Sequence, residues 1–136
     1  MAESFKFELV SPEKLLLSVD AEMVTIPGTE GDMGILVNHA AVMTTLRPGI
    51  VEVTLEDGSE QSFFVAGGFA DATPSSLTVL AEFAIPKSDL TAEIFAERKK
   101  LAQDAHDLIT DDAEKKANAY TYIEQLSHLE QTGLTL

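Results

Sequence analysis

Residues 51–65 read VEVTLEDGSEQSFFV, and this stretch decides the fold of the first part of the chain. Within 51–55, apolar residues alternate with polar ones, which is the two-residue period of a half-buried strand. Asp57-Gly58 follows as a turn signal, because glycine tolerates a positive φ. Residues 61–66 then supply a returning strand. The stretch therefore predicts an antiparallel β-hairpin.

The same alternation recurs on both sides of that hairpin. Apolar and polar residues alternate over residues 5–9, over residues 15–19 and again over residues 77–83. Short strands, frequent Gly and Pro, and no long helical window are typical of an antiparallel sandwich. We predict a β-sandwich domain over residues 1–86.

The pattern changes at Pro86. No Pro or Gly occurs between residues 87 and 132, where Ala, Glu, Lys, Leu and Gln become frequent. Two stripes of apolar residues follow at helical spacing, interrupted by Thr110-Asp111-Asp112. The first stripe contains Leu90, Ile94, Leu101, Ala105 and Leu108; the second contains Ala113, Ala117, Tyr120, Ile123 and Leu126. Residues 87–136 are therefore predicted to form an antiparallel two-helix hairpin.

The ends of both helices carry capping signals. Asp89 is predicted to cap the first helix, and Asp111 with Glu114 has the spacing of a capping box for the second. Gly133 is predicted to end the second helix.

Composition excludes several functions. The 136 residues include 23 acidic and 9 basic side chains, giving a net charge of −14. This charge argues against a nucleic-acid surface and against direct binding to anionic lipid, since both need basic patches. The absence of cysteine removes disulfides, thiolate catalysis and cysteine-based metal sites. No apolar run approaches the 18 residues of a membrane span, and we expect a cytosolic protein.

The histidines predict no catalytic or metal site. His39, His106 and His128 lack the paired spacing of metal ligands, so we expect no metal. An enzyme hypothesis would use His39 and Asp32 as an acid–base pair, but no nucleophile elbow accompanies them. We favour a structural or interface role for His39.

The glycine-rich stretch 27–34, PGTEGDMG, matches neither a Walker loop nor a dinucleotide fingerprint. Glu30 and Asp32 would also repel a phosphate. Two interpretations stay open with equal weight: a tight surface turn, or a docking loop that displays two carboxylates. The basic clusters Arg98-Lys99-Lys100 and Lys115-Lys116 are either solvated or face an acidic partner.

Several motifs, taken in order, resemble one family. They are Val10-Ser11-Pro12-Glu13-Lys14, the stretch from Pro27 to Leu36, His39-Ala40, Leu46-Arg47-Pro48-Gly49, Val65-Ala66-Gly67-Gly68-Phe69, and the stretch from Leu77 to Glu82. Their order and spacing over about 80 residues make the chain similar to the epsilon subunit of bacterial F-type ATP synthase, whose mitochondrial counterpart is called delta.

The resemblance implies a flattened ten-stranded sandwich followed by a two-helix hairpin. It also implies a non-catalytic rotor subunit of a proton-translocating enzyme, peripheral on the cytoplasmic side of the bacterial inner membrane. The subunit would join the gamma subunit to the c-ring and couple rotation to the catalytic head. Two interfaces carry over from the family: Glu30, Gly31, Asp32 and Met33 would face the c-ring, and His39 and Ala40 would contact gamma.

Two further expectations concern the hairpin. In some relatives it regulates ATP hydrolysis by reaching the alpha/beta catalytic head, which Arg98, Lys99 and Lys100 are candidates to contact. Some relatives bind ATP through an Ile/Leu-Asp-x-x-Arg-Ala motif, but here Thr91 and Ile94 replace its Asp and Arg. Charge-assisted phosphate recognition is lost without that Arg, so we predict weak or no ATP binding and no cofactor.

In the sandwich, Ala41 stands where the family commonly has Pro. The alternative is a free regulatory module that binds a small ligand.

Overall fold

A computed structural model describes residues 3–131 of the chain. The chain divides into two compact units, Met1–Ser88 and Asp89–Leu136. The domain boundary predicted between residues 86 and 87 lies two residues before this division. The predicted Gly133 stop signal lies outside the described residues.

The first unit is built from nine strands in the described residues, where the sequence predicted about ten. They are β1 (Phe5–Val10), β2 (Leu15–Gly28), β3 (Gly31–Leu36), β4 (Val42–Leu46), β5 (Gly49–Leu55), β6 (Glu60–Val65), β7 (Gly68–Thr73), β8 (Ser76–Ala81) and β9 (Ala84–Pro86). The predicted β-sandwich is confirmed.

The hairpin predicted over residues 51–66 consists of β5 and β6. Gly58 has a φ of +85°, and its N–H donates to the carbonyl of Leu55 at 3.0 Å. The Asp57 carboxylate accepts bonds from the hydroxyl and the N–H of Ser59, at 2.6 and 2.9 Å. These two bonds lower the pKa of Asp57 below its ordinary value, because they stabilise the charged form.

One long strand joins the two layers of the sandwich. The strands run in the order β1-β8-β7-β4-β2-β5-β6-β9, with β3 also on β2 and β1 also pairing β2. The first half of β2 pairs with β1, as at Val19 opposite Phe7. Its second half pairs with both β3 and β5, so that Val24 lies between Ile35 and Val53. The sheet is thereby closed on itself through β2.

The sandwich contains one parallel pair, between β1 and β8, in which Phe7 lies opposite Leu77. All its other pairings are antiparallel among the described strands. Alternation of apolar residues fixes which face of a strand is buried but says nothing of strand direction. The parallel pair is therefore a feature that the sequence pattern did not predict.

The core consists of the apolar residues that alternate with polar ones along the strands and face inward. Buried side chains include Phe7 and Leu9 on β1, Val51 and Val53 on β5, and Val79 on β8. Each is under 1% exposed, and full burial of such a side chain contributes roughly 1.5–3 kcal/mol. Removal of these side chains from water is what stabilises the sandwich.

The second unit contains two helices, α1 (Ala92–Asp107) and α2 (Ala113–Gln131), as predicted. Their predicted caps were wrong. Thr91 has extended backbone and its hydroxyl accepts the N–H of Ile94 at 3.2 Å, so Thr91 caps α1. Asp89 belongs instead to a short 3-10 helix, Lys87–Asp89. Asp112, not Asp111, accepts the N–H of Lys115 at 3.0 Å and caps α2.

The predicted apolar face of α1 was also wrong. Leu101 and Leu108 are 49% and 82% exposed, whereas Phe95 is fully buried and Ala102 and His106 are half-buried. Leu90 precedes the first residue of α1, so it does not set the phase of the helix.

A polar cluster lies near the end of α1. The His106 ring packs 6.2 Å from the Tyr120 ring of α2, measured between ring centroids. The Asp107 carboxylate lies within hydrogen-bond distance of His106 Nδ1, at 3.1 Å, and accepts a hydrogen bond from Gln103 Nε2 at 2.9 Å. The hydrogen bond with His106 lowers the pKa of Asp107 most, and the bond with Gln103 lowers it further, because both stabilise the charged carboxylate. The two helices are thus joined by a ring contact as well as by apolar packing.

Substitution of Gly68 tests how closely the backbones of β7 and β8 approach each other. Its φ is +139°, and a Cβ at this position would lie 2.1 Å from the carbonyl oxygen of Leu80. We expect Gly68→Ala to lower the free energy of unfolding by about 1–3 kcal/mol or more, because backbone strain and a backbone clash add. Urea denaturation measures this change. Gly58→Ala is the control, because it also places alanine at a positive φ, +85°, but no atom lies within 4 Å of its added Cβ, so it has the strain without the clash. Equal stability of the two variants would contradict the argument.

Candidate interaction surfaces

The acidic stretch 27–34 forms the tip of a tight hairpin. β2 ends at Gly28 and β3 begins at Gly31, so Thr29 and Glu30 form a two-residue turn. A Cβ on Gly28 would lie 2.8 Å from the carbonyl oxygen of Gly31. The close approach of the two strands therefore requires glycine at this position. We call residues 28–32 the acidic tip.

The acidic tip and the residue before it are hydrogen-bonded to the last part of β4 and to Arg47, which follows β4. The Thr29 N–H donates to the carbonyl of Thr45 at 3.1 Å, and the two threonine hydroxyls lie 3.0 Å apart. The N–H of Arg47 donates to the carbonyl of Pro27 at 3.0 Å. Two segments separated by about 18 residues in the sequence thus meet at one end of the sandwich.

The Arg47 side chain adds two further bonds. Its Nη1 donates to the carbonyl of Gly28 at 3.1 Å, and its Nη2 donates to Asp32 Oδ1 at 2.6 Å. The Arg47 side chain is 30% exposed and that of Asp32 is 65% exposed. Asp32 is therefore already paired within the chain, which sequence reasoning missed. The motif around Arg47 was visible, but nothing local in it indicated this partner.

The two other predicted residues of this surface differ from Asp32. Glu30 is exposed, and its carboxylate makes no hydrogen bond or ion pair within residues 3–131. Met33 is half-buried and packs against the sandwich core. Glu30 is thus the uncompensated charge of the acidic tip, while Met33 anchors it.

His39 and Ala40 lie beyond the opposite end of β3. The N–H of His39 donates to the carbonyl of Leu36 at 3.1 Å, and Nδ1 of its ring lies 2.7 Å from the carbonyl oxygen of Ala40. Asp32 stands near the first residue of β3, about 13 Å from Leu36 along an extended strand. The hypothetical acid–base pair of His39 and Asp32 is therefore not formed.

An exposed apolar surface lies on the face of the β1-β8-β7-β4 layer that points away from the core. Phe69 and Leu80 lie directly opposite each other and are 54% and 51% exposed. Met43 on β4 shares this face and is 71% exposed. Val10 and Pro12 join Phe69 and Leu80 around a shallow pocket of about 350 Å³.

Sequence analysis gave these residues no role, although one signal was present. Ala70 and Ala72 are the buried residues of β7, so the alternation places the large Phe69 on the outside. A phenylalanine on the outer face of a strand whose inner face carries alanine is a signal for a surface that binds another protein. We call Met43, Phe69, Leu80, Val10 and Pro12 the apolar face.

The basic cluster of α1 does not form one exposed patch. Arg98 and Lys99 are half-buried, whereas Lys100 is exposed with its Nζ 3.8 Å from Asp104 Oδ2. Consecutive residues of a helix point in directions about 100° apart. Three adjacent basic residues therefore cannot all face one partner.

Within residues 3–131 there is no group of three or more potential ligand side chains placed to hold a metal ion. In the same range no polar or charged residue is buried. None of the described helices is long and apolar enough to cross a bilayer.

Comparison with known proteins identifies the family. Residues 4–87 match the family model described as ATP synthase, Delta/Epsilon chain, beta-sandwich domain. The chain is 51% identical over 137 residues to the ATP synthase epsilon chain of Parvibaculum lavamentivorans, covering 100% of both chains. It is 47% identical to the ATP synthase epsilon chain of Mesorhizobium japonicum, covering 96% of each.

Solved structures share the fold. A chain of the Euglena gracilis mitochondrial ATP synthase has a TM-score of 0.70 at 24% identity, with 95% of this chain and 81% of that chain covered. A chain of the Tetrahymena thermophila mitochondrial ATP synthase central stalk and c-ring has a TM-score of 0.69 at 16% identity, covering 98% of both. With the sandwich, the helical hairpin and full-length identity of about half, the chain belongs to the ATP synthase delta/epsilon chain family.

Proposed function

We propose that this chain is the non-catalytic epsilon-type subunit of the rotor of a proton-translocating F-type ATP synthase. It would join the gamma subunit to the c-ring and so couple rotation to ATP synthesis or hydrolysis in the catalytic head. The observation that carries the proposal is the 51% identity to an ATP synthase epsilon chain over the full length of both chains. The subunit would act at the cytoplasmic side of the bacterial inner membrane, held there by proteins and not by lipid.

The acidic tip supports the c-ring contact. Glu30, Gly31 and Asp32 are exposed at one end of the sandwich, and Met33 fixes the tip to the core. A net charge of −14 disfavours contact with anionic lipid but favours a basic protein loop. Opposite charges across such an interface set its register and its association rate more than its affinity.

The apolar face supports the gamma contact. The predicted residues His39 and Ala40 are separated from β4 by Ala41 alone, and Met43 of β4 belongs to the apolar face. Exposed patches of large apolar side chains mark surfaces that bind other proteins. Gamma would thus contact His39, Ala40 and the apolar face together, while the c-ring contacts the opposite end of β3.

The helical hairpin would serve regulation without binding nucleotide. Contact with the alpha/beta head would depend mainly on Lys100, because Arg98 and Lys99 are half-buried. Thr91, at the position of the missing Asp, uses its hydroxyl to cap α1.

Reversal of the charge of Glu30 tests the c-ring contact. We expect Glu30→Lys to weaken binding of the c-ring by about tenfold at low salt, because attraction becomes repulsion. Retention of the reconstituted subunit–gamma complex on immobilised c-rings measures it. Glu52→Lys is the control, since Glu52 is an exposed carboxylate in the middle of β5. Equal retention of the two variants would contradict the c-ring assignment.

An acidic substitution tests the gamma contact. Phe69→Asp should weaken gamma binding by about 2 kcal/mol or more, because a buried charge replaces a buried ring. Isothermal titration of gamma with the full chain gives the value. Met23→Asp is the control, because Met23 is 38% exposed on the other layer. If neither variant changes gamma affinity, the apolar face has another role.

A nucleotide titration tests the last expectation. We expect the isolated chain to show no saturable ATP binding up to millimolar concentration, because no Arg stands at position 94. Calorimetry measures this directly, and the Thr91→Asp, Ile94→Arg double variant tests whether the family motif confers binding. Tight binding by the unaltered chain would contradict the expectation.

A further inference from the structure

The acidic tip has one side chain that bonds to both of its strands. Gly28 is the last residue of β2 and Asp32 is the second residue of β3, and the turn lies between them. Arg47 Nη1 reaches the Gly28 carbonyl at 3.1 Å, while Nη2 reaches the Asp32 carboxylate at 2.6 Å. The guanidinium fork therefore spans the hairpin just below the turn.

Glu30 has no such support of its own. Its exposed carboxylate makes no hydrogen bond or ion pair in the described part of the chain, and the next residue, Gly31, has a φ of +140°. Glycine permits many backbone conformations at such a position. The position of the Glu30 carboxylate therefore depends on how firmly the rest of the tip is held, by Thr45 at Thr29 and by Arg47 at Gly28 and Asp32.

The energetics of the Arg47–Asp32 pair favour a positioning role over a stabilising one. An ion pair between partly exposed side chains contributes little net stability, because water and salt screen it. Its geometry is nevertheless specific, because the planar fork of arginine offers donors in fixed directions, whereas a lysine ammonium acts as a point charge.

We propose that Arg47 is a positioning residue for the acidic tip, which fixes Glu30 for docking and removes Asp32 from direct recognition of the partner. The inference rests on the proposed function of this tip as the c-ring contact. The charge that the partner reads is then Glu30, and the Asp32 carboxylate serves Arg47.

Hydrogen exchange on the full-length chain tests the positioning itself without any partner. Arg47→Ala should accelerate amide exchange severalfold at residues 29–33 and leave β7 and β8 unchanged, because only the tip loses bonds. Arg47→Lys should fail to restore protection fully, since one ammonium does not reproduce the fork. Unchanged exchange in Arg47→Ala, or full protection in Arg47→Lys, would overturn the proposal.

Binding to purified c-rings, measured with the chain bound to gamma, separates position from charge. Arg47→Ala should lower c-ring affinity by about five- to tenfold, the size of a typical coupling between sites. Asp32→Asn keeps the Oδ1 acceptor for Arg47 and should weaken binding less than Glu30→Gln does, whereas Asp32→Ala should behave like Arg47→Ala. Glu30→Gln should weaken binding and flatten its salt dependence while the exchange of the tip stays unchanged.

The outcomes distinguish the two proposals. If Glu30→Lys and Arg47→Ala both leave c-ring binding unchanged while Arg47→Ala loosens the tip, the c-ring function fails and the positioning by Arg47 stands. If Glu30→Lys weakens binding as expected and Asp32→Asn weakens it as much as Glu30→Gln does, with the tip still protected, then the partner binds Asp32 directly. That result would overturn the inference and leave the proposed function intact.

Discussion

The fold depends on one constraint, which is the length of β2. Its 14 residues pair with β1 in their first half and with β3 and β5 in their second half, and Gly28 at its end lies opposite Leu46 of β4. A strand shared by both layers closes the sheet on itself. It therefore leaves few strand edges with unpaired N–H and C=O groups that could associate with other chains. It also carries the acidic tip at its end, so the candidate contact is built on the most extensively paired element.

The two candidate interfaces follow from this arrangement. β3 runs back along β2, so the acidic tip lies at the first residues of β3 and His39 lies beyond Leu36, the last residue of β3. A subunit that transmits force between two partners needs contacts on separate surfaces of a stiff body. The closed sandwich provides the stiffness, and the hydrogen bonds around Arg47 extend it to the tip.

Sequence reasoning reached the β-sandwich, the helical hairpin and the residues of the acidic tip, because each depends on local period or on turn residues. It failed where the answer depended on phase or on distant partners. The phase of α1 was wrong because Leu90, taken as its first apolar residue, precedes the helix. The caps were wrong because neighbouring residues, Thr91 and Asp112, had equally suitable side chains. The direction of β1 against β8 was invisible because alternation is the same in both directions.

The sequence by itself determined both helices and the positions of β1, β5, β6, β8 and the first part of β2, since these follow from spacing along the chain. It placed residues 27–34 in a turn or loop, although all of them except Thr29 and Glu30 belong to β2 and β3. Only the tertiary structure decided that Asp32 is paired with Arg47, whereas the Glu30 carboxylate has no partner among the described residues. It also decided that Met43, Phe69 and Leu80 share one exposed face. The reason is physical: such partners are separated by 11 to 37 residues, and only strand pairing brings them within reach.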